Sequence, residues 1–447
     1  MRVVPLALRR DPLDVLASLA AEPGAFLIDV PDAVRPLTLL GCTPVAELRV
    51  AADGTVDDGG GRRGALDPIV AIERFVAETP AKLGFPFGAV VAYLAYELGR
   101  YTEPIAAPHA ADLPLAVLRR YDPVLVLDRV RAQYALLCTD PAVAQAPWLA
   151  RVTEPVIAWD GPLGRAPLAP ASPRARYLDA VAHILDYIAA GDVYQVNLTQ
   201  PFVAPLAGPA STLFARLARR HPVPYGAYLD LGGAQLVANS PELFLRRRGD
   251  HIETRPIKGT RARGIGARDA ALAAELRHDP KEQAEHVMIV DLERNDLGRV
   301  AVPGSVRVPS FASVDTHPTV HHLVSTVAGR LQPDVGLAAL LRATFPGGSI
   351  TGAPKVRAME IIAELEPGPR GAYTGAFGLL HPGGDLELGL AIRTALVRDG
   401  MVHYHAGGGI VADSDPAREL AEAWLKTEAI RIALGETERE LERCSSG

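Results

Sequence analysis

Lys281-Glu282-Gln283-Ala284-Glu285-His286-Val287-Met288-Ile289-Val290-Asp291-Leu292 is the segment on which the reading of this chain turns. Val287, Met288, Ile289, Val290 and Leu292 leave it apolar nearly all round, which predicts a helix sunk in a core. Glu282 and Glu285, three apart, share one face of that helix. A carboxylate on a buried helix needs a partner, and a divalent cation is one. A second helix is predicted from Asp415-Pro416, a cap followed by proline at the first helical position, to about Leu434. On it Glu419, Glu422 and Lys426 fall within a stripe roughly 60° wide. Taken alone, Glu422 and Lys426 are an ordinary i,i+4 ion pair. Brought together, the two faces make an oxygen-rich site with a lysine at its edge. That suits Mg²⁺, which takes hard oxygen ligands and keeps much of its water.

Upstream lies Arg255-Pro256-Ile257-Lys258-Gly259-Thr260, with Arg261 and Arg263 just beyond. Like charges disfavour the ammonium form of a lysine, and a neutral lysine is a nucleophile. The other reading is a solvated basic loop that binds an anion. Around these segments the chain alternates irregularly between element types. Tyr177 to Ala190 has helical periodicity and stops at Gly191. Tyr194 to Val203, Tyr225 to Leu231, Ala234 to Ala238 and Glu242 to Arg246 read as strands. Strands and helices in mixed order, without regular alternation, predict an α+β fold with antiparallel pairing.

With 447 residues, 48% of them hydrophobic, the chain can bury a large core. Four stretches are expected: 1–153, a subdomain of short strands and helices; 154–173, a connector with five prolines; 174–437, the core that carries the motifs; and 438–447, a polar tail. A net charge of −6 gives no footprint for nucleic acid. Cys42, Cys138 and Cys444 form no metal-binding pair, which fits a reducing compartment. Met1 to Pro12 has no apolar leader, and no apolar run approaches the ~20 residues of a membrane span. A cytoplasmic protein is expected, with no membrane contact.

Read together, the motifs resemble the chorismate-utilising enzymes of the synthase component I group. The matching segments are Gly191-Asp192-Val193-Tyr194-Gln195-Val196-Asn197-Leu198, Ser240-Pro241-Glu242, Arg255 to Arg261, Ala284 to Arg299, and His322 to Val327. Gly352-Ala353-Pro354-Lys355, Ala391-Ile392-Arg393-Thr394, Ala406 to Ile410 and Asp413 to Pro416 follow in the family's order, within residues 177 to 434. Residues 1 to 150 match loosely. The resemblance implies an anthranilate synthase component I-like fold, with large antiparallel sheets packed face to face and helices outside. Within the family, lysine at the position of Lys258 resembles the aminodeoxychorismate branch, whereas the anthranilate branch usually carries alanine. Members that activate water place a lysine at the position of Gln195. Glutamine cannot take that proton, so Gln195 points to amine transfer.

The resemblance assigns roles to residues. Glu242 is implied as general acid, Lys258 as the nucleophile that adds to the ring, and His322 as a neighbour of the leaving hydroxyl. Glu285 and Glu422 are implied as direct Mg²⁺ ligands, with Glu282 and Glu419 behind them. Lys426, Gly259 and Thr260 are implied to meet the ring carboxylate, and Tyr373 and Arg393 the enolpyruvyl carboxylate. Gly407, Gly408 and, more weakly, Thr351 complete the substrate contacts. The implied reaction converts chorismate and ammonia to 4-amino-4-deoxychorismate, on the way to p-aminobenzoate and folate. An anthranilate synthase with an unusual lysine is the alternative, and a chorismate-binding subunit without catalysis a more distant one. No cysteine sits in a Gly-x-Cys-x-Gly turn, so ammonia is expected from a separate glutaminase subunit. Phe26-Leu27-Ile28-Asp29-Val30 lacks the serine of the feedback-regulated members, which argues against tryptophan feedback. His221-Pro222-Val223-Pro224-Tyr225 resembles the other half of that site and is compatible with a structural tryptophan.

Overall fold

A computed structural model describes residues 2–441, apart from positions 33, 61, 62, 65, 81, 82, 106–108, 156–158, 160, 318, 319 and 438–440, and the side chains of 63 and 142–146. The tail proposed for 438–447 therefore lies almost wholly outside the described residues, as does Cys444. Among the described residues there are two sheets of twelve strands each, and their strand pairs are antiparallel. The first runs in the order Arg2–Leu6, Gln133–Cys138, Val124–Asp128, Leu37–Gly41, Phe26–Val30, Tyr225–Asp230, Gln235–Ser240, Thr394–Arg398, Met401–Ile410, Gln195–Pro205, Ala169–Pro170. The second runs Ile257–Ala262, Val320–Arg330, His251–Arg255, Leu243–Arg248, Leu386–Leu390, Ala376–Leu380, Val90–Leu94, Ala116–Arg120, Ala46–Val50, Val56–Asp57, Arg63–Gly64. Two further short or irregular strands pair off these paths.

Period-two alternation builds the layers. Val91 and Tyr93 face a cluster that also holds Phe26, Ile28, Leu229 and Phe377, from both sheets. Their neighbours Val90, Ala92 and Leu94 face the opposite way, against Ile72, Leu341 and Val290 of helices Pro68–Ala77, Leu337–Thr344 and Pro280–Gly298. The first sheet is covered likewise by helices Pro12–Leu19, Ala210–Arg220 and Glu428–Leu434, through Leu16, Leu213 and Ile430. The fold is α+β, with sheets face to face and helices outside. Strands buried on both faces read as unbroken apolar runs, as in Val90–Leu94, where all five residues are buried.

Segments from before and after the proline-rich connector are hydrogen-bonded neighbours in both sheets. Leu27 pairs with Tyr228 in the first, and Ala92 with Gly378 in the second. Residues 1–153 and 174–437 thus share one set of cores. The connector itself docks, with Ala169 and Pro170 paired to Val203 and Phe202.

Two predicted helices differ from their expected form. The helix expected from Asp415 to Leu434 is two, Pro416–Leu425 and Glu428–Leu434. The Lys426 carbonyl accepts from Arg393 Nη1 and from the Tyr404 hydroxyl, each at 3.1 Å, so side chains capture an oxygen that a continuous helix would use. The helix expected over 281–292 runs from Pro280 to Gly298, capped by Asp279, and it is not apolar all round in its packing. Val287 is 54% exposed, whereas Glu293 and Asp296 are buried. Lys355 makes this tolerable, its amine lying 2.5 Å from Asp296.

The shared sheets predict that a fragment of residues 174–437 does not fold by itself. Removing the first 153 residues strips the mid-sheet neighbours of Tyr225–Asp230 and Ala376–Leu380, leaving long apolar edges. Calorimetry of the fragment should show no cooperative unfolding transition, in contrast to the full chain.

Candidate active site

The candidate side chains come from the edge of the second sheet, the glycine-rich end of the first, and helices Pro280–Gly298 and Pro416–Leu425. On strand Ile257–Ala262, Lys258 pairs with Leu323 and Thr260 with His322, with a register slip at Gly259. Gly259 has φ 68°, and a Cβ there would lie 2.7 Å from Leu276 Cδ1 and 3.0 Å from Glu282 Oε2. Only glycine allows the bulge and the approach of Glu282 together. The charge of Lys258 opposes the burial that raises Glu242 and Glu285, and adds to the pull of Lys426 on Glu422.

Those neighbours correct the picture of a lysine crowded by cations. Arg255 pairs with Asp315 at 2.8 Å and Arg263 with Asp269 at 2.7 Å. Arg261 pairs with Asp279 at 2.8 Å and reaches Glu275 and Glu282 at 3.4 Å. Each arginine is turned to its own acid, and Lys258 lies among carboxylates.

Glu242 sits in the connection between strands Gln235–Ser240 and Leu243–Arg248 and is 5% exposed. Burial pushes its carboxyl up to about 7, against the opposing pull of Ser349, Lys258 and the Ile257 amide. A carboxyl half-protonated near neutrality can deliver a proton. His322 is 7% exposed and its Nδ1 lies 3.0 Å from Thr260 Oγ1. Burial and the nearby His317 and Arg393 push it down to about 4, so it is neutral at pH 7. His321 has both ring nitrogens engaged, by Thr316 and Asp269 at 2.9 Å each, and is a satisfied core residue.

The predicted carboxylate faces do meet. Burial raises Glu285, and its like charges include Glu282 on its own helix and Glu422 on the other. Glu419 is buried, raised by desolvation and by Glu422, and accepts from Ser414 Oγ at 2.6 Å. Glu422 is the exposed member, its side chain 49% accessible; desolvation raises it, but Lys426 at 2.6 Å outweighs that and holds it below the usual carboxylate range. Gly408 is where this group converges: a Cβ there would lie 3.4 Å from Glu419 Oε2, 3.5 Å from Glu422 Oε1 and 3.5 Å from Lys426 Nζ. The Lys426 amine also donates to the Gly407 carbonyl at 2.6 Å. Among the described residues these acids do not close into a three-ligand metal cage. Their fit to a hard cation rests on the donor set: oxygen only, offered from two helices.

Arg393 has φ 51° and forms no ion pair among the described residues, so its guanidinium is open to a carboxylate. Its charge acts on Tyr373, which is buried and stacks on His405 with ring centroids 5.4 Å apart. Gln195 is completely buried, beside Gly409, and its two amide atoms lack partners among the described residues. Thr351 is also completely buried, and its hydroxyl lies 3.0 Å from the Gly347 carbonyl. It is a structural part of its turn rather than an exposed contact.

Sequence reasoning missed a second tier of buried charge. Ser349 donates its hydroxyl to Glu242 at 2.8 Å and its amide to Glu293 at 3.1 Å. Arg370, 3% exposed, binds Glu366 at 2.7 Å and fixes the loop that carries Tyr373. The turn Gly347 to Lys355 was visible as a motif, but nothing in it signalled that Lys355 is buried. The two segments compared with the feedback site also meet, lining a cavity of about 950 Å³ through Leu27, Asp29, Pro222 and Val223.

Comparison with known proteins assigns the class, a chorismate-utilising enzyme. The chain matches the family described as chorismate binding enzyme over residues 25–431 and belongs to it. It is 43% identical over 401 residues to anthranilate synthase component 1 of Thermus thermophilus, covering 86% of each chain. It is 42% identical over 381 residues to aminodeoxychorismate synthase component 1 of Klebsiella aerogenes, covering 82% of each. The crystal structure of anthranilate synthase component I from Streptococcus pneumoniae superposes with a TM-score of 0.79 at 28% identity, covering 90% of this chain and 93% of that one. Among the described residues no helix is long and apolar enough to cross a membrane.

The crowding at Gly259 gives a direct test. Gly259→Ala should lower stability by ~1–3 kcal/mol, from the strained backbone and the contact with Leu276. Urea unfolding monitored by fluorescence should show the shift in midpoint with an unchanged slope.

Proposed function

We propose that the protein is an aminodeoxychorismate synthase component I, transferring ammonia to C4 of chorismate. The observation that carries this reading is the position of Lys258, whose charge reaches both the buried acid Glu242 and the helix carboxylates Glu285 and Glu422. A nucleophile, a proton donor and a cation-binding face then serve one ring.

In the proposed sequence, the Lys258 amine in its neutral form bonds to C2, the ring double bonds shift, and the C4–oxygen bond breaks. Glu242 gives its proton to that oxygen, which leaves as water. Ammonia then bonds to C4, the double bonds shift back, and the C2–lysine bond breaks. One hard substitution becomes two easier ones. Neutral His322 borders the reacting centre without adding charge. Arg393 would take the enolpyruvyl carboxylate and Lys426 the ring carboxylate. Glu285 and Glu422 would hold Mg²⁺, with Glu282 and Glu419 behind them, and the ion would clamp the ring carboxylate and offset its charge. Gln195 offers no base to activate water, which favours ammonia as the nucleophile. Ammonia would come from a separate glutaminase subunit; both curated relatives are named component 1.

Anthranilate synthase is the second reading, favoured by the 43% identical Thermus relative. Product mass separates the two, because anthranilate forms with loss of pyruvate whereas aminodeoxychorismate keeps the enolpyruvyl group. With chorismate, Mg²⁺ and ammonium, the protein should make the product that keeps it. Lys258→Ala should lower the rate of that conversion at least ~100-fold. A parent-like rate in this variant would remove Lys258 as nucleophile.

Glu285→Gln should raise the Mg²⁺ concentration needed for half-maximal activity by ~10-fold or more. Calorimetric titration of the chorismate-loaded protein with Mg²⁺ should show the same weakening.

A further inference from the structure

Glu242 does not stand alone. Its carboxyl lies at the front of a buried chain of polar groups drawn from four elements. Lys258 and the Ile257 amide face it from strand Ile257–Ala262. Ser349 faces it from the turn Gly348–Ile350, its hydroxyl 2.8 Å from Glu242 Oε1. Behind Ser349, Glu293 of helix Pro280–Gly298 accepts the Ser349 amide at 3.1 Å. Behind Glu293 come Asp296, on the same helix, and Lys355 of helix Lys355–Leu365, whose amine lies 2.5 Å from Asp296. All four of these side chains are at most 7% exposed. The room is tight, for a Cβ at Gly348 would lie 2.7 Å from Leu292 and 3.2 Å from Glu293 Oε1.

We propose that Ser349, held in place by Glu293, is a positioning residue that fixes the plane of the Glu242 carboxyl and the oxygen that delivers its proton. The inference rests on Glu242 being the general acid. The geometry gives the reason. A hydroxyl donor on Oε1 makes that oxygen the acceptor of the carboxyl and leaves Oε2 to carry the proton. A carboxyl free to rotate would present its proton in the wrong direction much of the time, and misplacement of a reacting group is costly. Ser349 can hold this position only if its own backbone is fixed. Glu293 does that, and Lys355 with Asp296 keeps that helix face acceptable in the interior.

Burial raises Glu293 and Asp296 as well as Glu242, while Lys355 pulls the first two down. Ser349 favours the ionised form of Glu242, and the charge of Glu242 in turn helps burial to raise Glu293. Ser349 therefore acts on the acid directly, whereas Glu293 acts through the Ser349 backbone it holds.

The test is the pH dependence of kcat for chorismate consumption with Mg²⁺ and saturating ammonium, in Ser349→Ala, Ser349→Thr and Glu293→Gln. Activity needs protonated Glu242, so it falls as pH rises through the pKa of that group. Ser349→Ala should reduce kcat by ~10- to 100-fold, leave KM for chorismate within about twofold, and move the alkaline limb to higher pH. Ser349→Thr, which keeps the hydroxyl, should restore both kcat and the limb. Glu293→Gln keeps an acceptor for the Ser349 amide and, like the protonated acid that burial favours at Glu293, carries no charge, so its limb should stay in place. The proposal is overturned by a limb that stays in place or moves down in Ser349→Ala. It is equally overturned by a loss confined to KM, or by a threonine variant no better than the alanine one. Should Ser349→Ala not fold, Ser349→Cys, whose thiol is a weaker donor, takes its place, and an unmoved limb there overturns the proposal. Chorismate consumption does not depend on which amine product forms. A parent product lacking the enolpyruvyl group would thus defeat the aminodeoxychorismate reading and leave this test intact.

Discussion

Charge held away from water governs this structure. Glu242, Glu293, Asp296, Glu366 and Glu387 are all buried between packed elements. Removing one partner of a buried ion pair costs ~3–5 kcal/mol. That is a large share of the ~5–15 kcal/mol that holds a typical domain together. The fold therefore supplies a cation to three of them. Arg370 serves Glu366, Lys355 serves Asp296, and Arg246 with Arg248 serves Glu387. Glu242 and Glu293 are different: neither has an ion-pair partner among the described residues, and burial raises both, Glu242 to about 7. Of the two, Glu242 is the one within reach of the charge of Lys258.

The same constraint explains why distant parts of the chain meet. Gly408 leaves room for Glu419, Glu422 and Lys426 to converge beside strand Met401–Ile410. Gly259 leaves room for Glu282 beside the strand of Lys258. Both are positions where backbone, not side chain, faces acidic oxygens. Two sheets bring these edges within reach of helices Pro280–Gly298 and Pro416–Leu425. The break after Leu425, drawn by Arg393 and Tyr404 onto the Lys426 carbonyl, turns Lys426 toward Glu422 and Gly407.

Much of the site could be read from residue spacing, because helices impose a fixed geometry on nearby positions. Glu282 with Glu285, and Glu419 with Glu422 and Lys426, needed only the helical repeat. The N-cap and proline at Asp415-Pro416 gave one helix start, and Gly191, with φ 83°, one helix end. The helix break at Lys426 was not legible, because it depends on Arg393, 33 residues away. Nor was the burial of Glu293, Asp296 and Lys355, since local polarity argues against it. The surroundings of Lys258 were not legible for a related reason. Nearby arginines in the sequence suggested a cation cluster, whereas each arginine turns to an acid brought in from elsewhere.

By itself the sequence determined the element types, the α+β class, the carboxylate faces and the motifs of the chorismate binding family, because helical and strand periodicities are local. Only the tertiary structure decided that residues 1–153 and 174–437 share both sheets, that Glu242 is buried behind Ser349, and that Lys258 lies among carboxylates. These are contacts between residues tens to hundreds of positions apart. Burial, which sets how an acid titrates, is a property of what packs against it and not of the residues beside it in the chain.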